Sequence, residues 1–474
     1  MVIGVILVAL FCISAAESRP FVWGERALKH FDTEDDCLKL AKGWARRDTD
    51  RRKPKSQKPL DLTIFLHVPR TAGRFFDFCV FRQAYPEEER CPKAYHELPH
   101  GLLNPMSRRN SCSLLTSHYD YRVVEGVAHR GDPNVVMMLR DPLDRALSAY
   151  EFATEVAARN LGKAPRREIP GKVPTRWVWP WSGLTPYLDD ILNSTSRLRR
   201  LELRRNAGQN NPEELGKPKG TCPATDLSSC MQWEIDEDRL AEQQDEAMNP
   251  YSCSMTYPLE KLMVEDLWLE SIDNAMTFQL LGITSNTPHG LGDKNDVETE
   301  EITAARLRQC VRSGGPSSPA SKVLLQMALA RLMEKVDMLL LHDRLDDSVR
   351  LGFAKLRSFG VDASMDSQFS RCVQRTQHKM QKRTDKGMSN LLWPDGSTLE
   401  FNKRTRAALP ADIREQILSA NWMDTELMIL GRQLFQEEFA RMESEGLLEE
   451  SPVETVVGQA GGFREPKPKP RRRR

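Results

Sequence analysis

The chain has 474 residues, 40% of them hydrophobic and 28% charged, with 68 Lys and Arg set against 67 Asp and Glu. That balance, with a mean hydropathy of −0.52, excludes a polytopic membrane protein, a collagen and a wholly disordered chain. A net charge of +1 also excludes a uniform positive field of the kind that holds nucleic acid. At roughly 150 residues per domain, the length allows two or three units, or one large domain with insertions.

Met1 to Ala16 carries no charge and reads MVIGVILVALFCISAA. It is shorter than the roughly 20 residues that span a bilayer. Small residues at Ser14, Ala15 and Ala16 suit a cleavage point, so residues 1–16 read as a secretory signal peptide. Residues 17–58 are charged and end in RRDTDRRKPKSQKP, which reads as a linker. Leu62 to Val68 is an apolar run of strand length stopped by Pro69, and a helical pattern follows from about Arg74 to Gln83. Ser113 to Thr116 and Val135 to Leu139 are further short apolar runs. After the second, Pro142 sits where a helix start tolerates proline, and Leu143, Ala146, Leu147, Tyr150 and Ala153 recur at helical spacing. Strands alternating with helices, with polar residues at each strand's carboxyl end, predict an α/β fold with a parallel central sheet flanked by helices.

Residues 160–250 are rich in Pro, Arg, Asn and Gly and include Trp177, Trp179, Trp181 and Tyr187, which reads as an acceptor-facing insertion. Long helical patterns resume at 257–281, 320–358 and 411–443. The last segment, 446–474, ends in REPKPKPRRRR, where seven basic residues interleave with proline and one acid. Such a tail cannot pack; it is read as disordered, with charge enough to hold an anionic lipid headgroup at a membrane face. Cys91 and Cys112 flank a proline-containing stretch and could close it by a disulfide in an oxidising lumen, or remain two thiols. Asn193-Ser194-Thr195 is a glycosylation sequon. No Cys or His cluster has zinc spacing, so no metal is expected.

Three segments carry candidate chemistry. His67-Val68-Pro69-Arg70-Thr71-Ala72-Gly73-Arg74 joins a strand to a helix. A small-residue turn there aims backbone N–H groups at an anion, Arg70 and Arg74 add charge, and Thr71 adds a hydroxyl. The Walker spacing is absent, and a cationic turn with no ligand reads the same way in isolation. In Leu139 to Tyr150, Arg140 lies at a strand end and Ser148 two helical turns on, where both could hold one phosphate. The alternative there is helix capping by Asp141 with an exposed Arg145. In Thr116 to Tyr121, His118 falls just past a strand, where a histidine suits proton removal from an acceptor hydroxyl or is simply structural.

In combination and order these segments resemble sulfotransferases that use 3′-phosphoadenosine 5′-phosphosulfate (PAPS). The HVPRTAGR turn resembles the 5′-phosphosulfate loop of that family, and MMLRDPLDRALSAY its 3′-phosphate site, with the matching arginine and serine at Arg140 and Ser148. The similarity is closer to plant-type tyrosylprotein sulfotransferases, relatives of heparan sulfate 6-O-sulfotransferases. It includes CPKAY, LLTSHYDY, LSAYEFATEVAARNL, the WPW segment, NPY at Asn249 to Tyr251, TFQLLGITSN at Thr277 to Asn286, RQCV at Arg308 to Val311, and LARLMEKVDMLLLHDRLDDSVRLGF. The Asn421, Asp424, Leu427 helix completes it, over roughly residues 60–440 within a sulfotransferase domain of 59–445.

The resemblance implies O-sulfation of tyrosine in acidic secreted peptides or proteins, in the Golgi lumen of the secretory pathway. A carbohydrate O-sulfotransferase and a non-catalytic nucleotide-binding relative are the alternatives. It implies His118 as general base, Arg70 in catalysis, and Arg70, Thr71, Ala72, Gly73, Arg74, Arg140 and Ser148 in donor binding. Phe401 to Arg406 is similar to the late loop over the adenosine end, which adds Asn402, Thr405 and Arg406. Three positions depart from the family. Many members carry lysine where Arg70 stands, and glycine where Ala72 stands. Where relatives read Gly-Leu-Thr-Glu, this chain has Leu340-Leu341-His342-Asp343. Plant-type relatives usually end in a membrane-spanning helix that is not visible here, so Golgi retention rests on the family alone.

Overall fold

The computed structural model describes residues 33–50, 59–91, 112–127, 131–158, 270, 272–286, 294–388, 406–407, 409 and 411–450. The expected signal peptide, the 160–250 insertion with its sequon, and the basic end of the tail lie outside the described residues.

Four parallel strands make the sheet: β1 (Pro59–Leu66), β2 (Leu114–Ser117), β3 (Asp132–Leu139) and β4 (Met338–Leu341), in the order β2-β1-β3-β4. The apolar runs form strands because alternate residues can be buried on opposite faces. Ile64, Leu66, Val135, Met137, Leu139, Leu339 and Leu341 enter one core, while Phe65, Val136, Met138, Met338 and Leu340 enter the other. On the second face, α2 (Gly73–Phe76) runs through a π-helical turn (Asp77–Phe81) into α3 (Arg82–Ala84). Phe75, Phe76, Val80 and Phe81 from this segment pack with Phe353 and Phe369. The segment matches the expected Arg74–Gln83 helix except for its π turn, where the buried Asp77 carboxylate accepts from the Thr116 hydroxyl at 2.9 Å.

Next in chain order come α4 (Arg122–Val127), α5 (Pro142–Ala158), α6 (Ala275–Leu281), α7 (Lys294–Gly314) and α8 (Pro319–Lys335). After β4 follow α9 (Leu345–Ser358), α10 (Ser367–Met388), α11 (Ala411–Ala420) and α12 (Trp422–Ser444). The described residues therefore form an α/β fold with a parallel sheet flanked by helices on both faces, as the alternation of runs predicts.

Three local expectations are corrected. Part of the 17–58 linker is the helix α1 (Glu34–Asp50), because Cys37, Ala41 and Trp44 repeat on one side and bury against the first core. Trp44 Nε1 donates to the Leu281 carbonyl at 2.9 Å, and a disulfide joins Cys37 to Cys310 on α7. The helical pattern of 320–358 is interrupted by β4: a run of four apolar residues fits helix and buried strand alike, and pairing with β3 decides it. Arg145, exposed in the alternative reading of its segment, is fully buried, 3.7 Å from Asp424, with its Nη2 donating to Asn421 Oδ1. A long polar side chain at a core position is sustained by that network, which ties α5 to the α11–α12 junction.

Cys91 and Cys112 are joined, closing the stretch between them, and a third disulfide links Cys79 in the π turn to Cys372 on α10. Both this bond and Cys37–Cys310 span far-separated residues and were not visible in the spacing of cysteines.

Candidate active site

Each strand of the sheet ends in a polar residue: His67 follows β1, His118 follows β2, Arg140 follows β3 and His342 follows β4. In a parallel sheet all four carboxyl ends lie along one edge. The order β2-β1-β3-β4 places the topological switch point between β1 and β3, where an open parallel sheet has its crevice. The site is built there.

The turn after β1 is held from inside. Thr71 is fully buried and its hydroxyl donates to the Val68 carbonyl at 2.9 Å, so the side chain closes the turn and does not supply the ligand donor expected of it. Arg70 and Ala72 adopt left-handed backbone conformations, with φ of 72° and 66°. These reversals turn successive amides outward, and those of Arg70 to Gly73 donate to no backbone acceptor among the described residues. Ala72 sits where a residue without a Cβ would be unstrained.

Beyond the turn, Arg70 reaches across the crevice. Its Nε donates to Ser148 Oγ on α5 at 3.0 Å, and its guanidinium lies 4.8 Å over the Phe152 ring. Arg140 Nη1 donates to the Arg70 carbonyl at 2.9 Å, fixing the turn to the end of β3. Arg140 and Ser148, the two residues expected at one phosphate, are thus brought together through Arg70 of the turn. Arg140 Nε is buried and finds no hydrogen-bond partner among the described residues, an unsatisfied donor that an anion would meet. Burial, followed by the positive charges of Arg406 and Arg70, lowers the Arg140 pKa to about 10, so it remains charged at neutral pH. Arg70 is shifted down for the same first reason, with Glu151 and Glu155 opposing.

Asp144, Ser148 and Glu151 recur along α5 at helical spacing, and the Asp141 side chain accepts from the Asp144 amide at 3.1 Å near the helix start. Arg406, which the late-loop reading assigned to the donor, binds Glu151 through Nε and Nη2, both at 2.7 Å, and Asp144 at 3.3 Å. It joins the site through these carboxylates; Asn402 and Thr405 lie outside the described residues.

On the other side of the crevice stands His118. Its Nδ1 lies 2.8 Å from the His67 carbonyl, and because a carbonyl can only accept, Nδ1 carries the proton and Nε2 the lone pair. The His118 and His67 rings stack with centroids 4.2 Å apart. Burial lowers the His118 pKa from 6.5 to about 4, the His67 carbonyl opposing and the Arg74 charge assisting. The imidazole is neutral at pH 7 and ready to accept a proton. Arg74 is therefore the cation that reaches His118, while the Arg70 side chain is turned to Ser148.

One site residue escaped the sequence reading. His342 continues β4 beside the end of β3, where Leu139 pairs with Leu341, which makes it the neighbour of Arg140. Burial, then the charges of Arg140, Arg70 and Arg406, lower its pKa to about 3. Its signal was available: it is the first polar residue after a short apolar run, as Arg140 is. Reading that run as helix concealed it.

No protein-family model matches the chain, and no solved structure matches it significantly. Over 264 residues it is 31% identical to a curated protein of Arabidopsis thaliana named protein-tyrosine sulfotransferase, a match covering 53% of this chain and 44% of that protein. The chain thus spans less than half the length of that relative. This similarity to a protein-tyrosine sulfotransferase agrees with the resemblance to plant-type tyrosylprotein sulfotransferases read from the motifs.

Proposed function

We propose that the chain is a PAPS-dependent O-sulfotransferase that sulfates tyrosine hydroxyls of acidic peptides or proteins. The observation that carries this is the meeting of Arg70, Arg140 and Ser148 on one side of a sheet-edge crevice with His118 on the other. The unsatisfied Arg140 Nε and the outward amides of the 70–73 turn fit a donor with two anionic centres. PAPS supplies an activated sulfuryl group on a phosphosulfate anhydride.

The chain's own residues have three tasks. Arg140, with Ser148 and Arg70 beside it, holds one phosphate; Ser148 Oγ accepts from Arg70, so its own O–H remains a donor. The turn amides and Arg74 stabilise negative charge at the second anionic centre. His118 takes the phenol proton at Nε2 as the acceptor oxygen attacks the sulfur in line, while the sulfur's bond to the 5′-phosphate oxygen breaks and adenosine 3′,5′-bisphosphate (3′,5′-ADP) leaves. A free phenol has a pKa of about 10, so a neutral base at the acceptor is required at physiological pH. An anionic donor beside His118 raises its pKa from about 4 toward the operating range, making the base stronger when it is needed. The three disulfides among the described residues suit the oxidising lumen of the secretory pathway, and we place the activity in the Golgi.

The test is transfer of label from PAPS carrying radioactive sulfur to an acidic tyrosine peptide by the purified full chain. Label on the peptide and none on its phenylalanine counterpart supports the proposal. Label on a desulfated glycan alone would redirect it to carbohydrate, and label on neither would sink it.

A further inference from the structure

The proton acceptor is held by features that begin on the neighbouring strand. Strands β1 and β2 pair in parallel with Leu66 opposite Ser117, so the next register pair is His67 and His118, and side chains at paired positions point to the same side. The ladder continues one rung further, the His67 amide donating to the Ser117 carbonyl at 2.8 Å. In a regular parallel ladder the following bond would run from the Tyr119 amide to the His67 carbonyl. It does not form. The Tyr119 amide donates instead to Ser117 Oγ at 2.8 Å, and the His67 carbonyl receives His118 Nδ1.

The ring of His67 is itself confined. It is buried, stacks on Phe65 at 5.5 Å on one side and on His118 at 4.2 Å on the other. It also rests against the start of α2 so closely that a Cβ on Gly73 would lie 1.7 Å from its Cδ2 and 2.0 Å from its Nε2. That contact is far inside any real carbon separation, so Gly73 is required by the His67 ring and not by its own backbone angles. Gly73, His67 and His118 therefore form one packed column.

We propose that His67 is a positioning residue for His118. Its carbonyl, released from the ladder by Ser117, selects the Nδ1–H tautomer, and its ring, seated on Gly73, sets the plane in which Nε2 faces the acceptor. Arg74 is the charged group that acts on His118 from the same turn, and it leaves the tautomer to the carbonyl. The inference builds on the sulfotransferase reading, yet its first readout needs no activity.

In protein labelled with nitrogen-15 at histidine, the ring shifts of His118 at pH 7 are expected to report a neutral Nδ1–H tautomer. An Nε2–H tautomer or an imidazolium overturns the proposal whatever the protein catalyses. Gly73→Ala, which displaces the His67 ring, is expected to mix the tautomers. With PAPS and the tyrosine peptide, it should also lower kcat roughly 100-fold. His67→Phe keeps the carbonyl and the stacked ring, and is expected to keep the tautomer and most of kcat. Should Gly73→Ala not fold, a lost tautomer preference in His67→Phe overturns the carbonyl's role. A folded Gly73→Ala with wild-type tautomer and kcat overturns the seating. Wild-type protein with the expected tautomer and no sulfuryl transfer would remove the proposed reaction and leave this arrangement standing.

Discussion

The two halves of the sheet edge are built on opposite electrostatic plans. At the ends of β1 and β2, His67 and His118 are stacked rings closed in by Gly73 and Phe65, with His118 neutral at pH 7. At the ends of β3 and β4, Arg140 and His342 stand among Arg70 and Arg406, and burial, followed by the repulsion of these positive charges, lowers the pKa values of both. Carboxylates from α5 offset part of it, Glu151 gripping Arg406 and acting on Arg70. One half conserves a lone pair, and the other conserves unmet positive charge. A parallel sheet can hold both within one crevice because each strand end is fixed by its neighbours, while the side chain it presents is set by a single residue.

If the division is real, mutations on the two sides separate into rate and affinity. The largest effect is expected from His118→Ala: kcat for tyrosine peptide falls by ~10²–10⁴-fold. Calorimetric affinity for 3′,5′-ADP should stay within a few-fold; an equal loss in both would erase the distinction. Arg140→Ala is expected to do the reverse, weakening 3′,5′-ADP by about 2–5 kcal/mol because a buried charged donor is removed from the phosphate. At saturating PAPS its kcat should remain close to that of the parent chain.

The pH profile sharpens the same contrast. With the His118 pKa lowered from 6.5 to about 4, the proton acceptor stays neutral down to that range. The free-enzyme profile of kcat/KM should therefore be flat from pH 7 to about 5 and fall near pH 4; an acid limb at 6.5 would contradict the burial of the ring. Stability follows in the same sense. The unfolded chain binds protons at His118 and His342 below pH 6.5, whereas the folded chain waits until about 4 and about 3. Stability present above pH 6.5 is thus lost as the pH falls through that window, and urea midpoints at pH 7.5 and 4.5 measure it. In His342→Gln the loss should shrink. The smallest effect belongs to the turn shared by both halves. Ala72→Gly relieves a left-handed alanine at φ 66° and should raise stability by about 1 kcal/mol or less, read from thermal unfolding.

Much of this site could be read before folding because local chemistry repeats along the chain. Each of β1, β2 and β3 announces itself as a short apolar run, and the residue that ends the run is the one the crevice receives. Helix α5 announces itself by proline at its start and a spaced apolar stripe, which puts Ser148 on the turn facing Arg70. The fourth strand was concealed because Met338 to Leu341 lies between helices and has too few residues to display a period. His342 was hidden with it. The burial of Arg145 was hidden for a related reason: an arginine in a helical pattern looks like a solvated face unless Asp424, distant in sequence, is known to be beside it.

The amino-acid order by itself determined the alternation of strand and helix, the polar strand ends and the type of chemistry they carry, since these depend on neighbours a few residues apart. Only the tertiary structure decided which strand ends adjoin, that Thr71 closes the turn, that Cys37 meets Cys310 and Cys79 meets Cys372, and that His67 shoulders His118. Those outcomes depend on register and packing between segments up to hundreds of positions apart, where no local pattern carries the information.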